Sequence, residues 1–302
     1  MNFTHLLAFY EVARAGSISA GAQRLHVSQP AVTREIRELE ERLGVTLFDR
    51  LPRGVALTQV GNTLLEYATR IFALSEAAER ELTELAGLTA GQLLIGASAT
   101  VGVYLVPAVI AQFNVLFPKV TVELTVANTE QVEQGLLAHA FGLGFIEGPY
   151  DAAVFDANVI GADEIIAVAA VGHPLAKRRF AARELADKAV ILREPGSGTR
   201  AAVEDAYKRA GLSMTPLMSV SHTEAIKRML LSGQAIAYVS SLSVAEEIAR
   251  GDLVRLKVIG VDITRLLHVV WLKGRSFAPS TEAFVKLFDE QFPPRFSSVI
   301  VR

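Results

Sequence analysis

Ser19-Ala20-Gly21-Ala22-Gln23-Arg24-Leu25-His26-Val27-Ser28-Gln29-Pro30-Ala31-Val32-Thr33-Arg34-Glu35-Ile36-Arg37-Glu38-Leu39 is the stretch on which the fold turns. Ala22, Leu25 and Val27 give a short helix, and Ser28-Gln29-Pro30 opens another, a Ser cap ahead of a Pro in the first turn, where a missing N–H costs least. The apolar stripe of that helix is Val32, Ile36, Leu39 and Leu43, at spacings of four, three and four, and Gly44 supplies a left-handed stop. Upstream, Leu6, Phe9, Tyr10 and Ala13 make an amphipathic helix, and Gly16-Ser17-Ile18-Ser19 is the turn and cap that follow it. Three short helices in this order predict a helix-turn-helix.

The polar face of the third helix carries the chemistry. Ser28, Gln29, Pro30, Thr33, Arg34 and Arg37 cluster in its N-terminal half, where a recognition helix presents side chains to base edges and phosphates. Gln bonds adenine bidentately, Arg bonds guanine or phosphate, and the helix N-terminus favours an anion. Glu38, Glu40 and Glu41 on the later turns repel phosphate, so only the first two turns are expected to enter a groove. Val45 to Leu57 then reads as two short β runs around a Pro/Gly turn that carries Arg50 and Arg53, a wing placed to grip the DNA backbone or minor groove. The competing reading, a solvated helical face beside a charged hairpin, explains either part alone but not their order within sixty residues.

These residues also carry a resemblance. Ser19 to Ala22, Leu25 to Ile36 and Leu39 to Arg50 closely resemble the winged helix of LysR-type transcriptional regulators. The resemblance implies an α+β multidomain chain: an N-terminal winged helix-turn-helix (1–58), a long linker and dimerisation helix with a hinge (59–90), and a two-lobed α/β effector domain of periplasmic-binding-protein type (91–302). Its implied lobes are about 91–161 with 266–302, and about 162–265, the chain crossing near Gly161 and returning near Asp262.

From Thr58 to Leu85 the pattern is one long helix. Leu64, Ala68, Ile71, Ser75, Ala78, Leu82 and Leu85 alternate by four and three, a heptad seam that either pairs with a second copy or packs on its own protein. The resemblance favours a homodimer through this helix, and a homotetramer built from such dimers. Gly87 and Gly91 mark the hinge. Beyond it, Leu93–Ala97, Val120–Val126, Gly142–Ile146, Ile165–Val171, Ala189–Leu192, Ala235–Val239 and Leu266–Leu272 are expected strands with helices between most of them, calling for largely parallel α/β sheets.

Ligands of such sheets bind at strand C-termini, where helix N-termini offer free N–H groups. Two hydroxyl-rich strand-to-helix turns qualify: Gly96-Ala97-Ser98-Ala99-Thr100, and Arg193-Glu194-Pro195-Gly196-Ser197-Gly198-Thr199-Arg200. Ser98, Thr100, Gly196, Ser197, Gly198 and Thr199 are therefore expected to clamp a small anion between lobes, although Ser and Thr at such places also simply cap helices. The second string resembles the branch of the family that includes regulators of sulfur assimilation and carbon fixation. It implies an inorganic or carboxylate anion as effector, with a sulfur oxyanion such as sulfite the first expectation. His222, ahead of an amphipathic helix, is a candidate charge sensor or a cap. Glu147, at the end of a strand, is a candidate gate, since a carboxylate repels an anionic effector.

Other classes are weighed against this. Gly196 to Ala201 formally satisfies G-x-G-x-x-A, but the zone about twenty residues on, Leu217 to Ser221, lacks the acid a nucleotide-binding enzyme needs. Gly96 to Thr100 fails the nucleophile elbow at its last position, and no phosphate-binding P-loop occurs. With no cysteine and six histidines that never fall at metal-helix spacing, neither a metal site nor a cofactor is expected. The uncharged run between Glu84 and Lys119 is broken by glycines, Pro107 and polar residues, so no membrane span is expected, and the opening residues do not read as a signal peptide. A cytoplasmic, non-enzymatic regulator with double-stranded DNA and a small anion as partners is the reading; a DNA-binding regulator without effector is the alternative.

Charge placement refines it. The whole chain carries 30 basic and 32 acidic residues, a net of −2, and residues 1–60 hold seven Arg, no Lys and six acids. So weakly basic a head is expected to rely on oligomer avidity for DNA.

Overall fold

The computed structural model describes residues 2–85, 91–186, 190–233 and 235–292. Its contacts divide the chain into two compact units, Met1–Glu79 and Arg80–Arg302.

In the first unit, α1 (Phe3–Ala15), α2 (Ile18–Arg24) and α3 (Gln29–Leu43) are followed by the antiparallel pair β1 (Phe48–Arg50) and β2 (Val55–Leu57), then by α4 (Gln59–Leu85). Local chemistry sets the ends. Asn2 accepts from the His5 N–H and Ser17 from the Ala20 N–H, while Gly16 and Gly44 close α1 and α3 in the left-handed conformation. Ser28 is the N-cap residue of α3 but its side chain makes no capping bond. Pro30 removes one donor a cap would serve, and the next, the Ala31 N–H, bonds the Ser28 carbonyl at 3.1 Å instead. Phe9, Val12, Val32, Leu39 and Leu47 are fully enclosed, each contributing about 1.5–3 kcal/mol by burial. Leu43, expected on the apolar stripe, is exposed at the helix end.

The wing is tied back to the helices. Gly54 has φ +84°, and a Cβ there would stand 2.5 Å from the Gly16 carbonyl oxygen. That carbonyl accepts the Val55 N–H at 3.0 Å, so the turn needs a residue with no side chain.

The head extends past the expected boundary at residue 58. Leu64, Leu65, Ala68, Ile71 and Phe72 of α4 pack into the head's core, and Phe72 meets Phe3 and Tyr10 with ring centroids at 4.9 Å in both pairs. Much of the expected seam is thus used internally. Leu82 of that seam is exposed, and so is a second apolar row, Val60, Tyr67 and Leu74, seven residues apart. Gly87 of the expected hinge lies outside the described residues, and nothing is described for the Leu85 side chain.

The second unit runs β3 (Gln92–Ser98), α5 (Ala99–Tyr104), α6 (Val106–Leu116), β4 (Thr121–Ala127), α7 (Thr129–Leu137), β5 (Leu143–Glu147), β6 (Phe155–Ala170), β7 (Arg179–Ala181), α8 (Ala182–Ala186), β8 (Val190–Arg193), α9 (Gly198–Arg209), β9 (Met218–Val220), α10 (Thr223–Leu230), β10 (Ile236–Ser240), α11 (Ala245–Arg250), β11 (Leu253–Arg255), β12 (Lys257–Ile259), β13 (Thr264–Leu272) and α12 (Pro279–Gln291). Ala189 of the expected strand 189–192 lies outside the described residues. The main sheet has the order β4-β3-β5-β13-β6-β10-β8-β9, with β11 also on β6. Parallel triplets, β4-β3-β5 and β10-β8-β9, form its two ends; β3, β5, β8 and β10 read as mainly apolar runs because helices cover them, while the edge strands β4 and β9 are largely exposed.

Sheets are not parallel throughout. β6 and β13 pair antiparallel over Phe155–Glu164 and Thr264–Leu272, and β6 continues to pair with β10 over Ile165–Ala169. One 16-residue strand therefore serves both lobes. Its first half escapes a pattern reading because Asp156, Asn158, Gly161, Asp163 and Glu164 interrupt any apolar alternation.

Candidate functional site

The first candidate lies on the head. Gln29, Pro30, Thr33, Arg34 and Arg37 line one shallow depression at the start of α3, and Ser28 beside them is exposed. Thr33 donates its hydroxyl to the Gln29 carbonyl at 2.9 Å, and Gln29 Oε1 accepts from the Ser19 hydroxyl at 3.0 Å, which orients the glutamine. Arg53 is exposed on the wing; the Arg50 backbone pairs with Val55, and its side chain lies outside what is described.

The acids of α3 act differently from the expectation of bare repulsion. Glu40 turns inward and accepts the Leu47 N–H at 2.7 Å, anchoring the entry to the wing. Glu41 pairs with Arg37 at 2.7 Å, and Glu38 lies 3.8 Å from Arg34 and 3.2 Å from His5. The depression is lined by donors and guanidinium groups whose charge is partly offset by neighbours on the same helix.

In the second unit the two hydroxyl-rich turns do meet, though around an internal charge. Arg265 of β13, 2% exposed in its side chain, donates to Glu147 at 2.8 Å, to Asp163 at 2.9 and 2.6 Å, to Thr199 Oγ1 at 3.0 Å and to Thr100 Oγ1 at 2.9 Å. Asp163 stands directly opposite Arg265 in the β6–β13 register and also accepts from Ser240 at 2.8 Å. Glu147 receives the Thr100 N–H at 2.8 Å and the Val101 N–H at 3.3 Å, the free donors of α5. Ser98, at the cap of that helix, is buried beside it.

In this structure the place of the expected anion is taken by the protein's own charges. Glu147 is itself the carboxylate at the start of α5, and Ser98, Thr100 and Thr199 surround the cluster it makes with Arg265 and Asp163. Burial pushes the Glu147 carboxyl up, but Arg265 and the hydrogen bonds around it outweigh burial and hold it below the usual carboxylate range. For Asp163 burial wins, because one guanidinium cannot compensate two carboxylates, and its pKa is raised.

The glycine loop also contacts protein. A Cβ at Gly198 would lie 2.4 Å from the Glu147 carbonyl oxygen, and one at Gly196 would lie 2.4 Å from Glu130 Oε2. Gly196 accepts the Glu130 N–H at 3.2 Å, while Ser197 is buried at the α9 cap without a side-chain capping bond. These residues let α9 lie close against β5 and α7, so their smallness serves lobe-to-lobe packing.

A cavity of about 380 Å³ opens beside this cluster. Ala99, Tyr104, Val126, Asn128 and Gln131 wall it from one lobe; Arg193, Glu194, Ser221, His222, Thr223 and Glu224 wall it from the other. Of the eight effector residues expected from sequence, His222 alone lines it. Its companion Arg193 opens the Arg-Glu-Pro-Gly string, with no local pattern to mark it as a cavity residue: it is buried, held by Glu194 at 2.8 and 3.0 Å and by Thr223 Oγ1 at 3.2 Å. His222 is the N-cap residue of α10 and makes no side-chain capping bond, and it lines the cavity with Thr223 and Glu224 of that helix's first turn. Tyr104 bonds Glu224 at 3.1 Å, and Lys227 bridges Glu224 and Glu247 at 2.8 Å each. Asn128 and Gln131 form a reciprocal capping box on α7, a signal visible in Asn128-Thr129-Glu130-Gln131.

Residues 86–293 match the profile of the LysR substrate binding domain, and residues 3–62 match that of the bacterial regulatory helix-turn-helix protein, lysR family. The chain belongs to the LysR family. Over 279 residues it is 34% identical to the HTH-type transcriptional regulator CbbR of Rhodospirillum rubrum, covering 92% of each chain. It is 31% identical over 282 residues to CbbR of Xanthobacter flavus, covering 92% of this chain and 84% of that one. Among solved structures, full-length CbnR complexed with its target DNA superimposes with a TM-score of 0.71 at 26% identity, covering 96% of this chain and 99% of that one. The regulatory domain of Synechocystis CcmR in complex with 2-PG superimposes at 0.62 and 26% identity, covering 67% of this chain and 97% of that domain. This LysR-family chain is a transcriptional regulator with a helix-turn-helix head and an effector-binding domain, and the enzyme alternative falls. No helix among its described residues is long and apolar enough to cross a membrane.

Proposed function

We propose that this LysR-family regulator reads double-stranded DNA with the first two turns of α3 and the wing, and that a small anion bound in the 380 Å³ interlobe cavity resets it. Gln29, Thr33 and Arg34 contact bases or phosphates; Ser28, Pro30 and Arg37 flank them; Arg50 and Arg53 grip the backbone from the wing. The similar fold of DNA-bound CbnR supports this reading. Two heads come from a homodimer through the Val60, Tyr67 and Leu74 stripe of α4, and a tetramer follows from pairing such dimers. Such a regulator works in the cytoplasm, where the DNA is.

The observation that carries the effector half is the cavity walled by both lobes, with Arg193, His222 and the α10 N-terminus on one side. A ligand touching both walls favours one interlobe angle, a population shift that alters the spacing of the heads. The bound 2-PG of CcmR and the carbon-fixation relatives support a small anionic effector. Full-length protein is titrated calorimetrically with 2-PG, phosphate, sulfite, sulfate, thiosulfate and small carboxylates. One of these is expected to bind, with His222→Ala weakening it; if none alters melting or the operator footprint, the chain regulates without an effector. For the DNA half, Arg34→Ala is expected to lower operator affinity and reduce the salt slope by about one, and unchanged affinity across salt concentrations overturns it.

A further inference from the structure

A cluster on the head is left unused by the DNA reading. His5, in the first turn of α1, directs Nε2 between two carboxylates of α3, 3.1 Å from Glu35 Oε2 and 3.2 Å from Glu38 Oε2. Glu35 and Glu38 are three residues apart and so share a helix face. One ligand-capable atom from each of the three side chains lies within 4.8 Å of the others. Asn2 steadies the histidine's turn by accepting its backbone N–H at 2.8 Å.

Protons alone satisfy this arrangement poorly. A neutral imidazole brings at most one N–H to Nε2, and two carboxylates face it. His5 Nδ1 is buried without a hydrogen-bond partner, so its N–H is unpaired whether Nε2 carries a proton or a metal. Arg34 makes up the deficit: its guanidinium lies 3.2 Å from Glu35 and 3.8 Å from Glu38. The side chain proposed to contact DNA is thereby held by the same two acids.

Nitrogen–oxygen separations of this size fit atoms bound at about 2.1 Å to a shared cation. One imidazole with two carboxylates suits a divalent transition metal over Mg²⁺ or Ca²⁺, which prefer oxygen alone. We propose that His5, Glu35 and Glu38 bind such an ion, with Zn²⁺ the best match for three protein ligands and a water, and that binding frees Arg34 for DNA. Histidine spacing along the sequence misses this site because its ligands come from two helices. The metal site stands on the head's geometry alone; the release of Arg34 rests on the DNA reading given above.

Tag-free, zinc-stripped full-length protein is titrated with ZnCl₂ by calorimetry, and with Co²⁺ for its visible absorption. One site per chain is expected, weakened by more than about tenfold in His5→Gln and in Glu38→Gln, with both variants folded by circular dichroism. Zinc is expected to tighten operator binding roughly twofold to fivefold in the parent and to leave Glu38→Gln unmoved. Zinc binding as tight in both variants as in the parent, or none in the parent, overturns the site. Zinc bound there with unchanged operator affinity overturns the release of Arg34. Because the titration is read without DNA, failure of the metal site and failure of the DNA reading are distinguishable.

Discussion

Replacing Arg265 by methionine tests the interlobe cluster most severely. The side chain is almost wholly buried and makes five hydrogen bonds of 3.0 Å or less, two to Asp163 and one each to Glu147, Thr199 and Thr100. Methionine fills much of the volume but leaves Glu147 and Asp163 buried without a counter-charge. Breaking a buried pair from one side costs about 3–5 kcal/mol. For a unit of this size each kcal/mol moves the melting temperature by about 2–4 °C, so the effector-unit transition is expected to fall by roughly 6–20 °C.

The pH dependence carries a sign. In the parent, Glu147 is held low, so its contribution is present above the ordinary carboxylate range and is lost as pH falls through its depressed pKa. Asp163 is raised, so its contribution is present at low pH and is lost as pH rises through its folded value. Without Arg265 both carboxyls follow the Asp163 pattern, and acid protects the variant. Calorimetric scans of parent and Arg265→Met at pH 8, 7, 6 and 5 are expected to show a gap that narrows downward. Adding Glu147→Gln and Asp163→Asn is expected to restore most of the loss. A drop below about 3 °C, or a gap that widens on acidification, refutes the buried-charge reasoning.

Three further outcomes are expected. The Tyr207 and Tyr238 hydroxyls bond each other at 2.8 Å in the second unit's core, so Tyr238→Phe orphans one and costs about 1–3 kcal/mol in urea unfolding, whereas Tyr207→Phe with Tyr238→Phe is expected to be nearly neutral. Gly198→Ala drives a methyl to 2.4 Å from the Glu147 carbonyl oxygen, and a loss of about 1–3 kcal/mol in the same assay is expected; an unchanged midpoint contradicts the close approach of α9 to β5. Tyr67→Glu with Leu74→Glu changes two exposed residues, so the head should still fold while sedimentation shifts toward the monomer; an unchanged mass excludes this stripe as the dimer seam.

Local signals explain what was readable. Helix caps, a proline in a first turn, left-handed glycines and the four-three spacing of Val32, Ile36 and Leu39 act over a few residues, so the head and its outward face at Gln29, Thr33 and Arg34 were legible from the chain alone. The apolar runs of β3, β5, β8 and β10 were legible for the same reason: strands covered on both faces must be apolar throughout. Polar strands were not. The first half of β6 is stabilised by pairing with β13 across more than a hundred residues, an interaction no local window contains.

The sites divide along the same line. That hydroxyls and small residues cluster at Ser98–Thr100 and Gly196–Thr199, and that His222 precedes a helix, is written in the sequence. Which of them line the cavity depended on Arg265, which tertiary pairing brings opposite Asp163 and against Glu147, 118 residues away along the chain. A buried guanidinium drew the carboxylates and threonines inward and left Arg193 and His222 at the cavity. Likewise, the period of Leu64, Ala68 and Ile71 marks an apolar stripe on α4, but packing of Phe72 against Phe3 and Tyr10 draws that part of the helix into the head's core. Period and capping are properties of neighbours in sequence; burial and charge compensation are settled only among neighbours in space.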